Sequence, residues 1–171
     1  MTSELRVDAI KTTDGTEVMN FDSGGRLVKN NNPYFSVYRS TDQSFSGSNT
    51  NIMEYNTVVD NIGGHYNTST YKFTAPVAGI YFFRWQGMMM AMSTYTFFNM
   101  SLHINNSLRE EIMVGPNAGQ NSSYHTAQGS SIIKLNSSDT ADVRIYYNSV
   151  AGSPYIRGGA PMNRFEGYLL G

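Results

Sequence analysis

The sequence of 171 residues contains no cysteine and few charged residues. Disulfides and cysteine nucleophiles are therefore excluded, although small secreted domains often depend on disulfides. Their absence favours assembly in a reducing cytoplasm, as in a bacterium or a virus particle made there. Charged residues account for 15% of the chain, against a usual ~25%. Polarity comes mainly from Asn, Ser and Thr, which suits strands and turns.

Strong net charge and long apolar runs are also absent. The formal net charge is -1, so no basic face for nucleic acid is implied. There is no run of 18 apolar residues of the kind that crosses a membrane. Residues 1–10 lack the apolar centre of a signal peptide. We therefore expect neither nucleic-acid binding nor membrane insertion.

The composition of the sequence changes near residue 32, which predicts an N-terminal arm over residues 1–32 and a head over residues 33–171. The arm is polar and glycine-rich, with widely spaced apolar residues and turn signals at Asp14-Gly15 and Ser23-Gly24-Gly25. Such a segment cannot bury a core by itself. We expect it to be ordered by contact with other copies or with another protein.

Short apolar runs separated by Gly, Asn and Ser follow throughout the head, without a helical period. This pattern is typical of a sandwich or barrel of short strands. The predicted strands lie near residues 34–39, 52–58, 70–74, 79–92, 96–104, 108–114, 129–135, 142–148 and 164–170.

One predicted strand is apolar on both of its faces. The run from Ile80 to Trp85 continues into a methionine-rich segment. Since strand side chains alternate between faces, this strand requires cover on two sides. One face suits the opposite sheet of a sandwich, and another subunit is the simplest cover for the second. We therefore predict a subunit interface at Phe82, Met88, Met90 and Met92.

Aromatic residues at fixed spacings supply a more specific motif. The motif begins with an aromatic residue, which is followed after five residues by Asn and after four more by a second aromatic residue. Phe follows after six residues, and Gly-x-Tyr-x-Phe-x-aromatic follows after five more. A further segment, Phe-x-Gly-Tyr-Leu-Leu, lies near the C-terminus. The residues concerned are Tyr55, Asn61, Tyr66, Phe73, Gly79, Tyr81, Phe83, Trp85, Phe165 and Gly167. This arrangement resembles the C1q/tumour-necrosis-factor domain family.

The resemblance implies an all-β, ten-stranded jelly-roll sandwich that forms a homotrimer around an apolar axis. It also implies a binding module rather than an enzyme, and a role in packing for the ten motif residues. The collagen stalk that usual members carry is absent from this sequence.

The arm carries a second, shorter resemblance. The segment from Leu5 to Thr16 is similar to L-x-V-D-x-I-x-x-x-x-G-T segments of bacteriophage tail-fibre and appendage proteins. It implies a virion protein made in the host cytoplasm, with the arm bound to other particle proteins and the head presented to a host-surface glycan or protein. Two alternatives are a capsid-decorating or adaptor protein without a receptor role, and a secreted, extracellular C1q-like lectin or adhesion module.

No catalytic motif is visible. None of the three histidines has metal-site spacing; His103 is expected to be partly buried in a strand, and His65 and His125 to be exposed in loops. The adjacent Glu110 and Glu111 would point to opposite faces of a strand. We therefore expect no enzymatic activity.

Cofactor and ligand residues are equally sparse. Asp139 and Asp142 are the candidate calcium ligands, but Ca²⁺ takes six to eight oxygens. We expect no cofactor, with calcium at these two residues as the alternative. Tyr124 and Tyr155, predicted in loops, suit stacking on a sugar but also suit ordinary turns.

Overall fold

The structure of this chain is a computed structural model that describes residues 7–28, 32–45, 50–91, 94–115, 124–151 and 153–171. The chain divides into two compact units, Met1–Asn32 and Pro33–Gly171. Every regular element in the described ranges is a β-strand. Those ranges therefore contain no helix of the length and hydrophobicity needed to cross a membrane.

The first unit is a three-stranded antiparallel sheet with the order β1-β2-β3. Its strands are β1 (Ala9–Lys11), β2 (Glu17–Phe21) and β3 (Leu27–Val28). Both turns are closed by an aspartate side chain. Asp14 accepts from the Thr16 amide at 3.0 Å, and Asp22 accepts from the Gly24 and Arg26 amides at 2.9 Å. Such side-chain turns are the reason that Asp-Gly sequences punctuate strands.

The described part of the second unit contains thirteen strand segments. They are β4 (Tyr34–Tyr38), β5 (Gln43–Ser44), β6 (Asn51–Ile52), β7 (Thr57–Ile62), β8 (Tyr66–Asn67), β9 (Lys72–Thr74), β10 (Gly79–Met90), β11 (Thr94–Ile104), β12 (Ser107–Val114), β13 (Tyr124–Leu135), β14 (Thr140–Ala151), β15 (Tyr155–Ile156) and β16 (Arg164–Leu169).

The strand count differs from the ten that the family resemblance implies. Four of the thirteen segments, β5, β6, β8 and β15, are only two residues long. The predicted strand over residues 52–58 is split into β6 and β7, because the chain turns sharply where the Tyr55 amide donates to the Met53 carbonyl at 3.0 Å. The turn directs Tyr55 into the core, where it has no exposed surface.

Two antiparallel sheets form the sandwich. The first sheet has the order β5-β15-β10-β16-β4-β7, with β13 paired along the other side of β10. The second sheet has the order β12-β11-β14-β9-β8, with β6 also paired to β14. Long-range pairing of this kind places the two ends of the second unit at one end of the sandwich, since the Leu169 amide donates to Pro33 and the Ile80 amide to Gly171.

The core lies between the two sheets. Alternate residues of β10 are buried there, as are alternate residues of β11 and β14. Aromatic rings cross the gap: the Phe73 ring from the second sheet lies 4.9 Å from that of Phe35 and 5.8 Å from that of Phe83. The architecture is an all-β jelly-roll sandwich.

Candidate functional site

The ten motif residues lie in and around the core. All aromatic residues of the motif are buried, and four of them have no exposed surface: Trp85, Phe83, Tyr81 and Phe165. Burial raises the pKa of the Tyr55 and Tyr66 phenols, so both hydroxyls remain protonated donors. They donate to the carbonyls of Gln86 and Tyr55 respectively.

Asn61 and the two glycines of the motif have distinct local roles. The Asn61 side chain both donates to the Tyr66 carbonyl and accepts from the Tyr66 amide, at 2.9 and 3.0 Å, and so closes the turn between β7 and β8. A Cβ on Gly167 would lie 2.6 Å from the Phe35 ring, and one on Gly79 would lie 2.6 Å from Leu169. Only glycine fits at these two positions, because packed side chains already occupy the space that a Cβ atom would take.

The opposite side of the first sheet, which we call the outer face, consists of the side chains of that sheet that point away from the core. Directly paired residues share a face. The register places one apolar residue from each of five neighbouring strands in a single row across this face. The row runs through Ile132, Phe82, Tyr168, Tyr34 and Ile62, from β13 to β7.

The apolar row is uncovered within the described chain. Ile132 is 64% exposed, and Ile62 and Tyr168 are exposed as well. The rings of Phe82 and Tyr168 lie 5.3 Å apart on this surface. A contiguous apolar surface of this kind is typical of an interaction site.

A polar row lies beside the apolar one. Glu166 accepts from Arg84 at 3.0 Å, from Arg164 at 3.2 Å and from the hydroxyl of Ser36 at 3.0 Å. Ser36 is buried although it lies on the outer face. The carboxylate therefore links β10, β16 and β4 beside the apolar row.

The predicted interface residues lie on this outer face where the structure describes them. Phe82, Met88 and Met90 occupy alternate positions of β10, and all three are half-buried within one chain. Met92 falls outside the described residues. That a second copy of the chain covers these side chains stays a prediction.

Two tyrosines that we expected in loops are strand residues instead. Tyr124 begins β13 and Tyr155 begins β15, and both are paired directly with Met90 on the outer face. Tyr124 is exposed and Tyr155 is half-buried. Tyr124 was assigned to a loop because β13 begins five residues before the predicted strand, and Tyr155 because the two-residue strand β15 leaves no periodicity to detect.

The histidines differ from the prediction fully at His125 and partly at His65, which lies between β7 and β8 as expected but is half-buried. His103 lies in β11 and is largely buried, as expected. His125 was expected to be exposed in a loop, but it lies within β13, is buried, and has its ring 6.4 Å from that of Phe98. The prediction failed because β13 begins five residues before the run that was identified as a strand.

The two candidate calcium ligands are each engaged by other groups. Asp139 accepts from the Asn105 side chain at 2.8 Å and from the Asn136 amide at 2.7 Å, and these hydrogen bonds lower its pKa. Asp142 is fully buried and pairs with Arg144 at 2.6 Å and Lys72 at 3.4 Å. In the described ranges, no group of three or more acidic or histidine side chains is placed to hold a metal ion.

Comparisons with known proteins agree with this architecture. Residues 34–170 match the family described as the C1q domain. Among curated proteins, a complement C1q subcomponent of Mus musculus is 30% identical over 146 residues, which is 85% of this chain and 53% of that protein. Caprin-2 of Danio rerio is 28% identical over 111 residues, 64% of this chain and 11% of that protein. The chain thus spans about half or less of the length of these relatives.

Solved structures support the fold at lower sequence identity. The globular domain of zebrafish complement 1qA protein superposes with a TM-score of 0.60 at 17% identity, covering 82% of this chain and 98% of that one. Murine APRIL at pH 8.0 superposes with a TM-score of 0.62 at 10% identity, covering 81% and 99%. The aromatic motif, the jelly roll and the family match converge on one conclusion: the chain belongs to the C1q domain family.

Proposed function

We propose that this chain is a non-enzymatic binding module that self-associates as a homotrimer through the outer face of its first sheet. The observation that carries the proposal is the apolar row across five strands, from Ile132 to Ile62. In the described ranges every regular element is a strand, so no described helix covers this row. A second copy supplies an apolar cover of matching composition.

We propose further that the arm anchors the trimer. Residues 1–32 lie outside the match to the C1q domain, which begins at residue 34. The arm forms its own small sheet, with Ile10, Phe21 and Leu27 about half exposed. A three-stranded sheet needs an apolar face packed against something in order to be stable. Other particle proteins, or other copies of the arm, provide that contact in this proposal.

The phage-like segment in the arm favours a structural appendage or fibre component of a virion. In that setting, the head presents its far end to a host-surface glycan or protein. The register brings the ends of β10, β12 and the start of β13 to the end of the sandwich opposite Pro33.

A second candidate is a secreted C1q-like lectin or adhesion module. The similarity to the murine complement C1q subcomponent favours it, since that similarity spans 85% of this chain. A third candidate is a capsid-decorating or adaptor protein without a receptor role. It differs from the fibre component in that the arm binds particle proteins while the head binds no host surface.

The test compares the purified full chain with a 33–171 truncation for mass, particle binding and host-cell binding. We expect both proteins to be trimers and only the full chain to join particles, while both bind host cells. A truncated head that joins particles but loses host-cell binding would reverse the roles assigned to arm and head. Binding to host cells without any particle association would favour the secreted module.

A further inference from the structure

The second sheet holds a fully buried carboxylate on the side that faces away from the core. Asp142 in β14 alternates with the core residues Ala141 and Val143, so it points outward, yet it has no exposed surface. Its Oδ1 accepts from Arg144 Nε at 2.6 Å, and its Oδ2 lies 3.4 Å from Lys72 Nζ. A buried charge requires such partners. Two cations therefore share one carboxylate, and these three groups together carry a net charge of +1.

A neutral amide completes this cluster. Asn106 lies in the two-residue turn between β11 and β12, where Asn105 and Asn106 have φ angles of 51° and 65°. Tight hairpin turns of this left-handed type favour Asn. The Asn106 Oδ1 accepts from Lys72 Nζ and from Arg144 Nη2, both at 2.7 Å. An amine, an amide and a carboxylate from three separate parts of the chain thus meet at one point.

These three groups are the ones that an intramolecular reaction between an amine and an amide needs. A lysine amine is a nucleophile once it has lost its proton, and a neighbouring carboxylate can take that proton. The hydrogen bond from Lys72 Nζ to Asn106 Oδ1 holds the amine beside the amide carbon. Well-oriented groups on one chain react as if at an effective concentration of about 10⁵ M or more. Such positioning makes an otherwise very slow reaction accessible.

We propose that Lys72 and Asn106 form an isopeptide bond, with Asp142 as the proton carrier. Asp142 accepts a proton from the Lys72 ammonium, and the Nζ electron pair forms a bond to Cγ of Asn106. Asp142 then passes its proton to Nδ2 and takes a second proton from Nζ, while the Cγ–Nδ2 bond breaks and ammonia leaves. The ammonia takes the last proton from Asp142 and departs as ammonium. The reaction occurs once per chain and needs no oxidant.

Arg144 is placed to stabilise the transition state of this reaction. Its Nη2 donates to Asn106 Oδ1, the atom on which negative charge develops as Nζ adds to Cγ. Donors fixed at such a position are commonly the largest contribution to acyl-transfer catalysis. Its Nε binds Asp142 and so holds the carboxylate beside the amine. The Lys72 and Arg144 side chains are only 24% and 22% exposed, and exclusion of water strengthens these electrostatic interactions.

The cross-link has a clear structural consequence. Lys72 belongs to β9 and Asn106 follows β11, and β14 lies between these two strands in the second sheet. A bond between residues 34 positions apart therefore closes the sheet across β14. The chain has no cysteine, so this bond supplies the covalent closure that disulfides give other small domains. All the reacting groups belong to one chain, so the inference does not depend on the proposed self-association.

The test is intact-mass spectrometry of the purified full chain in denaturant. We expect the unsubstituted chain to be lighter than its sequence mass by one molecule of ammonia. K72Q and N106A remove the amine or the amide, so each should keep its full sequence mass. Peptide mapping of the unsubstituted chain should recover a branched peptide that joins residues 72 and 106. K134Q changes an exposed lysine of β13 and is the matched control, which should still lose ammonia.

D142N tests the role of the carboxylate in a time course of ammonia loss. It keeps the shape of the side chain but cannot accept the proton, so cross-linking should slow by roughly a hundredfold or more. Circular dichroism must show that D142N is folded; if it is unfolded, the masses of the unsubstituted chain and of K72Q carry the test. A D142N chain that cross-links at the original rate would overturn the role of Asp142.

Two results would overturn the cross-link itself. One is an unsubstituted chain that keeps its full sequence mass after prolonged incubation in the folded state. The other is a loss of ammonia that persists in K72Q, because it would assign the loss to ring closure at an asparagine without any contribution from the lysine.

Discussion

The rings of Phe82 and Tyr168 lie 5.3 Å apart on the outer face of the first sheet, and the rings of Phe83 and Phe165 lie 5.9 Å apart on its core side. Neighbouring strands β10 and β16 therefore carry aromatic pairs on both sides. The second sheet covers the inner pair. The outer pair has no such cover within the described chain, and this asymmetry underlies the proposed self-association.

Loss of a central core aromatic should destabilise the head. Trp85→Ala or Phe83→Ala removes a fully buried ring, and the lost burial together with the cavity should cost about 3–5 kcal/mol. That is a large share of the ~5–15 kcal/mol that stabilises a typical domain. Denaturant unfolding measures it, with Phe82→Ala as the partly exposed counterpart. Unchanged unfolding midpoints in the Trp85 and Phe83 variants would contradict a core role for this face of β10.

A charge on the outer face should act on assembly more than on folding. Met90→Glu would place an unpaired carboxylate between Tyr124 and Tyr155 in every copy of a trimer. Burying such charges is unfavourable, so trimers should dissociate at concentrations where the monomer remains folded. Light scattering and circular dichroism on the same samples separate the two effects. Met90→Leu, which keeps an apolar side chain, is the control and should remain trimeric.

Gly167→Ala tests the close packing behind β16. The added methyl group would lie within 3 Å of both the Phe35 and Phe83 rings, so we expect a loss of about 1–3 kcal/mol. Gly115→Ala is the matched control, since nothing lies within 4 Å of its Cβ position. Thermal unfolding that is equally affected by both substitutions would exclude the steric explanation.

Local chemistry explains which parts of this fold were predictable from sequence. Long strands such as β10 could be predicted because an apolar run that ends in Trp85 has to be buried. The spacing of the aromatic residues indicated the family. The two-residue segments β5, β8 and β15 were missed because a pair of hydrogen bonds leaves no periodicity to detect.

Register explains most of what the sequence did not reveal about the site. Phe82 was predicted to lie outside the core, but its partners Ile132 and Tyr168 are distant in sequence and meet it only through strand pairing. The polar row has the same origin, since Ser36 is 130 residues from Glu166. Such long-range pairs are set by tertiary packing and are not encoded in any local pattern.

His103 should make stability depend on pH. Burial is the main cause that lowers the pKa of its imidazole below the ordinary 6.5, while Asn106, Arg144, Asp142 and Glu111 act on it with mixed sign. The unfolded chain therefore binds a proton more readily than the folded chain, and the unfolding free energy should fall as the pH drops through 6.5 towards the lowered pKa.

Urea unfolding between about pH 7.5 and pH 5.5, at fixed protein concentration, measures this dependence. His103→Gln keeps a polar side chain without titrating in that range, so its profile should be flatter. Parallel profiles for the substituted and unsubstituted chains would show that His103 is not responsible.

Self-association is the central claim, and the solution mass of the full chain tests it most directly. Light scattering at micromolar concentration should give three times the chain mass of 19.0 kDa, because the uncovered apolar row requires a contact in the range of obligate interfaces, ~2,000 Å² or more in total. A mass of 19.0 kDa that persists as the concentration is raised would contradict the account.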